Sequence, residues 1–177
     1  MTRRMVFDVE SIGLHGEGFA VGYVILDGDN VVADNVALCP AIVARGTDDD
    51  RAWVAANVTV PKTSLTFATT RELRDWFWGV WVAFKSTGGE LWTDCGWPVE
   101  ANFLSACVAD DPTTRNWEGP YPLHDVALVI KAMGGDPLGV NPRLRNEQPA
   151  HNPLNDARQS ARLILAAERG DMRTLAP

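Results

Sequence analysis

No stretch of this sequence is long and apolar enough to cross a bilayer. The longest uncharged apolar run, from Trp76 to Phe84, falls far short of the eighteen or so residues that a spanning helix requires. No signal-peptide core precedes the acidic Asp8, so the expected location is cytoplasmic. Cysteine is scarce: Cys39, Cys95 and Cys107 cannot all pair and none sits in a CxxC. That excludes a disulfide framework or a cysteine zinc cluster and implies reduced thiols in or near the core. Positive charge is also in deficit, with 16 Lys and Arg against 23 Asp and Glu and a net charge of −7. Binders that coat long nucleic acid carry a basic face, and this chain does not have the charge for one. A small site in which acids hold cations, and the cations hold a phosphodiester, remains compatible with that balance. Internal repeats and low-complexity tracts are absent.

What is present is a globular composition, 46% hydrophobic and 22% charged over 177 residues. At about 150 residues per domain, that length predicts a single domain over 1–177. Three strands are expected first: Met5 to Glu10, Phe19 to Leu26, and Asn30 to Leu38 after the Asp27-Gly28-Asp29-Asn30 turn signal. Asp48 to Asp50 can cap a helix through Ala56, and Pro61 ends what precedes it. Thr69 and Glu72 have capping-box spacing, and Leu73, Trp76, Phe77, Val80, Trp81 and Phe84 recur at helical intervals through Lys85. Gly88-Gly89 stops that helix, and Leu91 to Thr93 follows as a short strand. Pro98 suits the first turn of a helix to about Val108. Another short strand near Leu123 leads into a helix through Met133, a Pro- and Asn-rich loop covers 136 to 150, and a last helix starts near Pro153. An antiparallel meander followed by helix and strand in alternation predicts an α/β fold, a mixed sheet flanked by helices.

Three constellations carry chemistry. Asp8 and Glu10, two apart on a strand, project from one face, and a divalent cation with oxygen ligands is a natural resolution for such a pair. Taken alone, a DxE is more often a solvated strand face. His151-Asn-Pro-Leu-Asn-Asp156 sets a histidine on the approach to a helix and an acid in its first turn, where the imidazole could take a proton from water. Between these, Asp94 and Glu100 flank the junction of a strand and a helix.

The order of these elements resembles the DEDDh family of 3′-to-5′ exonucleases, the DnaQ-like branch of the ribonuclease H-like superfamily. Asp8-Val-Glu10-Ser11-Ile12-Gly13-Leu14 is similar to the family's first motif, with serine where threonine is usual. His151 to Ala157 is similar to the third, and Tyr121 to Val126 to the segment before it, so the resemblance runs from residue 5 to about 168. The second motif departs: Glu100 stands where the family has aspartate, with Asp94 as the competing ligand. The resemblance implies a ribonuclease H-like sheet of about five strands. It also implies that Asp8, Glu10, Asp156 and Glu100 hold two Mg²⁺ or Mn²⁺ ions, with His151 as general base and Ser11, Gly13 and Leu14 against the 3′-terminal nucleotide. The implied substrate is the 3′ end of single-stranded RNA, DNA or a short oligonucleotide, without a membrane partner, and related enzymes of this size often act as homodimers. Two other functions stay open: a catalytically impaired nucleic-acid-binding protein of the same fold, favoured by the glutamate, and a phosphodiesterase of dinucleotides or cyclic nucleotides. Among the tryptophans, Trp92 and Trp97 flank the second motif and could stack on a base, and Arg143 and Arg145 could approach a phosphate backbone.

Overall fold

The computed structural model describes residues 2–137 and 142–171. In chain order the elements are β1 (Arg3–Ser11), β2 (Gly18–Asp27), β3 (Asn30–Leu38), a 3-10 turn at Pro40–Arg45, α1 (Asp48–Asn57), β4 (Leu65–Thr66), α2 (Thr70–Lys85), β5 (Glu90–Thr93), a wide helical turn at Gly96–Glu100, α3 (Ala101–Asp110), α4 (Pro112–Arg115), β6 (His124–Asp125), α5 (Val126–Ala132), a 3-10 turn at Arg145–Glu147 and α6 (Pro153–Glu168). Of the loop expected over 136–150, residues 138–141 lie outside the described part.

The strands form one mixed sheet in the order β4-β3-β2-β1-β5-β6. The first three make the expected antiparallel meander, and β5 then pairs parallel to β1 and β6 parallel to β5. The short strand expected near Leu123 is β6, and the count is six rather than about five because of β4, which at two residues is too short to show any alternation in sequence.

Strand β1 is central and buried on both faces. Met5, Phe7 and Val9 pack with Leu73, Phe77 and Trp81 of α2 and Phe103 of α3, while Val6 on the other face packs with Ile130 of α5 and Leu154, Ala161 and Ile164 of α6. Helix α2 begins as expected: the Glu72 backbone N–H donates to Thr69 Oγ1 at 3.2 Å, and the Thr69 N–H donates to Glu72 Oε2 at 3.0 Å. Trp78 and Trp81 are buried on it, and Trp76 stacks near Tyr23 and Phe67, so all three are packing residues. Helix α3 starts later than expected, at Ala101, because Trp97 has extended backbone and the five residues before α3 form a separate turn. Cys39 and Cys107 are buried, Cys95 is exposed, and all three are free thiols. No helix among the described residues is long and apolar enough to cross a membrane.

One contact sets where α6 begins. Gly22 of β2 lies opposite Asp8 of β1, and a Cβ built on it would come within 2.4 Å of the Leu154 backbone nitrogen and the Pro153 carbonyl carbon. The first turn of α6 therefore rests directly on strand backbone, held by the Asn152 side chain, which accepts from the N–H groups of Leu154 at 3.2 Å and Asn155 at 3.3 Å. Gly22→Ala is expected to destabilise the protein by about 3 kcal/mol or more, because rigid backbone has to move to admit one methyl group. Urea unfolding measures this, and a loss below about 1 kcal/mol would mean that the helix seat is adjustable.

Candidate active site

The alternation that buries Val6 against α6 also aims Asp8 and Glu10 at the same side of the sheet, beyond the last aliphatic residue of that face. Strand β5 runs parallel to β1 and stops pairing at Thr93, opposite Phe7. Asp8, Glu10 and Asp94 thus lie at the carboxyl ends of two parallel strands, the position where open α/β sheets form crevices. Asp156 enters from the first turn of α6, placed there by the Gly22 seat and the Asn152 cap. Glu100 arrives on the last residue of the wide turn, where its Oε1 accepts the Val9 backbone N–H at 3.4 Å.

Asp8, Glu10 and Glu100 are buried, Asp156 is half-buried, and Asp94 is the most exposed of the five. Burial, reinforced by repulsion from Glu100, Asp156, Glu10 and Asp94 in that order, holds the Asp8 carboxyl well above the usual carboxylate range. Burial and the Asp156 charge push Glu10 up to about 7. Burial, with Asp94 and Glu10 nearby, pushes Glu100 up to about 8 against its bond from Val9. Asp156 is raised by burial and restrained chiefly by Arg143. The protein packed around Asp94 raises it too, against the Ser160 hydroxyl, which donates to Oδ1 at 3.1 Å.

One ligand atom each from Glu10, His151 and Asp156 can be drawn so that all lie within 4.8 Å of one another, close enough to share a cation. The donor set of carboxylate oxygens with one imidazole fits a hard divalent ion, and mutual repulsion among acids that burial forces together supplies the reason to bind one. His151 is exposed at the rim. Its φ of 54° lies in the left-handed region, its carbonyl accepts the Thr59 N–H at 2.9 Å, and its ring meets Trp53 edge-on at 5.1 Å. The histidine is thus held from α1 and the segment after it, and its backbone also donates to the Asp156 carboxylate at the start of α6.

Next to the acids is a cavity of about 570 Å³ lined by Glu10, Ser11, Gly13, Leu14, His151 and Trp53, among others. Ser11, Gly13 and Leu14 therefore line this cavity together. Gly13 has φ +68°, and its carbonyl accepts from Ser11 Oγ at 2.7 Å, a tight turn that leaves Leu14 projecting into solvent. Asp49 and Asp50, from the first turn of α1, form an acidic lip. A second cavity of about 650 Å³ along α6 contains none of the site acids, and its Arg158, Arg162 and Arg169 are paired with Asp34, Glu147 and Asp29.

The neighbouring tryptophans and arginines differ in their placement. Trp92 stacks on His124 with centroids 4.7 Å apart, and Trp97 leans on His15 outside the cavity, so neither forms its wall. The aromatic wall is Trp53, which sequence reasoning missed because an exposed tryptophan on a weakly amphipathic helix carries no periodic signal. Arg145 is exposed, whereas Arg143 turns inward, its Nη1 donating to Asp156 Oδ1 at 2.5 Å.

No protein-family profile and no curated protein matches this chain. Solved structures do. Exonuclease I from Methylocaldum szegediense, a moderately thermophilic enzyme, superposes with a TM-score of 0.61 at 16% identity, over 96% of this chain and 41% of that one. An apo Exonuclease I gives 0.64 at 12% identity, over 99% and 44%. An SSB/Exonuclease I structure in complex with the inhibitor CFAM gives 0.55 at 13% identity, over 99% and 41%. The chain thus has the ribonuclease H-like fold of these exonucleases and spans about two fifths of their length.

Proposed function

We propose that this protein is a divalent-metal-dependent nuclease that removes nucleotides from the 3′ end of single-stranded RNA or DNA or of short oligonucleotides. The observation that carries this reading is the convergence of Asp8, Glu10, Glu100 and Asp156 beside a nucleotide-sized cavity with His151 at its rim. Asp8, Glu10 and Asp156 would hold two Mg²⁺ or Mn²⁺ ions with help from Glu100. Glu100 is the preferred fourth acid over Asp94 because its charge is the one Asp8 feels most, whereas Asp94 is engaged by Ser160. The ions, when bound, supply positive charge to the attacking water oxygen and to the leaving 3′-oxygen.

The chain's own groups do the rest. A ring nitrogen of His151 accepts the proton of the attacking water, and the position of the ring at the rim lets it pass that proton to solvent. The turn at Ser11 to Leu14 and the face of Trp53 receive the terminal sugar and base, and a base has a π-face to offer whatever its identity. The acidic lip of Asp49 and Asp50 disfavours a long run of phosphates on that side. That lip also favours a second reading, a phosphodiesterase restricted to dinucleotides or cyclic nucleotides.

The test is an incubation of 5′-labelled single-stranded RNA and DNA with Mn²⁺ or Mg²⁺. The expected result is a ladder shortening from the 3′ end, absent with His151→Ala, and a KM about tenfold higher with Trp53→Leu, as loss of one stacked base would give. Turnover of dinucleotides alone moves the assignment to the second reading. A wild-type protein that cleaves neither class in either metal overturns both.

A further inference from the structure

Five acids meet at the site, yet among the described residues the ion pair that reaches any of them comes from Arg143, through Asp156. The position of that arginine is built. Glu147, only 2% exposed, accepts from Arg162 of α6 at 2.7 Å (Nε) and 3.0 Å (Nη2), and also from the Leu144 N–H at 2.9 Å. Arg162 Nη2 donates in addition to the Pro142 carbonyl at 2.7 Å. The residues on both sides of Arg143 are therefore tied to α6 beyond Asp156. The guanidinium itself completes the arrangement, with Nη1 shared between Asp156 Oδ1 at 2.5 Å and the Glu147 carbonyl at 2.9 Å.

Asp156 is also one of the three residues whose ligand atoms come within sharing distance of a cation. A guanidinium carries only donors and a permanent charge, so it cannot join a metal's coordination shell and is repelled by one. Arginine and metal are thus two repelling positive charges drawn to one carboxylate.

We propose that Arg143 is a tethered counter-cation, which holds Asp156 until a divalent cation displaces it, so that the loop carrying Arg143 sets the metal concentration at which the site assembles. The inference rests on the metal-binding reading above. It gives the loop before His151 a task other than connection: in the metal-free protein the arginine offsets the repulsion that would push α6 away from β1, and its release accompanies loading. A charged hydrogen bond of this kind makes the metal-ready form a minority, and apparent affinity falls by that fraction.

Mn²⁺ alone, titrated calorimetrically into wild-type protein and Arg143→Gln, tests this without any reliance on turnover. The variant is expected to bind Mn²⁺ about tenfold more tightly, to melt at a lower temperature in EDTA, and to show a larger rise in melting temperature on metal addition. Equal or weaker Mn²⁺ binding by the variant, with wild type binding normally, overturns the counter-cation role and leaves the metal reading standing. No Mn²⁺ binding by either protein overturns both. Should the variant fail to fold, limited trypsin digestion of wild type decides: a ratio of cleavage after Arg143 to cleavage after Arg145 that rises with Mn²⁺ supports release of the side chain, and a fixed ratio overturns it.

Discussion

Asp8→Asn is expected to abolish hydrolysis, by about a thousandfold or more, while raising the melting temperature of the metal-free protein. The two effects share one cause. Asp8 is buried and its charge is opposed by Glu100, Asp156, Glu10 and Asp94, so in the absence of metal its carboxylate is a liability to the fold. An amide of the same shape removes that penalty, for a gain of about 1–3 kcal/mol. Under the proposed function it also removes a ligand charge, and the several kcal/mol of transition-state stabilisation that a bound metal would provide corresponds to about three powers of ten in rate. Parallel nuclease assays and thermal unfolding in EDTA check both halves. A variant that melts lower in EDTA than wild type would show that Asp8 stabilises the fold through contacts of its own.

In EDTA, stability is expected to decline from about pH 5 to about pH 8. Below the ordinary glutamate value of 4.5, folded and unfolded chains both keep the proton at Glu10 and Glu100. As pH rises past that value the unfolded chain releases protons that the folded chain retains, so folding loses ground until about pH 7 for Glu10 and about pH 8 for Glu100. At about 1.4 kcal/mol for each tenfold change in proton affinity, Glu10 alone contributes on the order of 3 kcal/mol. Glu17 behaves oppositely: burial would raise it, but bonds from Thr70 and Arg74 bring it below its ordinary value, so its stabilisation is lost only in more acidic solution. Saturating Mn²⁺ should flatten or invert the decline, since metal binds the deprotonated carboxylates. Urea unfolding at intervals from pH 5 to 9, with EDTA and with Mn²⁺, measures the effect. A stability in EDTA that climbs over this range would mean that the acids are neutralised by partners within the protein.

What the sequence discloses here depends on whether a feature is local. The Thr69–Glu72 box, the Asn152-Pro153 helix start and the alternation around Phe7 and Val9 are each decided within a few residues, and the elements they predict are present. The meander and the α/β layering follow from them. The two-residue strand β4 exists only through its neighbour β3, and the turn before α3 interrupts a helix that Pro98 suggests should already have begun.

The same divide runs through the site. Asp8 and Glu10 share a face by strand periodicity alone, and Asp156 follows from its spacing after His151 at the start of a helix. The ion pair of Arg143 with Asp156 spans a proline-rich loop without any repeat to reveal it, and the contact of Trp53 with His151 joins two segments nearly a hundred residues apart. Gly22 reads in sequence as a weak point in a strand, and only the helix resting on it explains why the position has no side chain.

That helix seat divides the site into two mechanical classes. Asp8, Glu10 and the start of α6 are fixed by backbone lying on backbone, which has no rotamers and no slack. His151 and Arg143 sit on irregular segments and are held by side-chain and single backbone bonds instead, His151 through Trp53 and Thr59 and Arg143 through Asp156 and the Glu147 carbonyl. The spacing of the acids is therefore set by main-chain contact, and the placement of the imidazole and the guanidinium by bonds that a single substitution can remove, so the two halves of the site answer to different kinds of mutation.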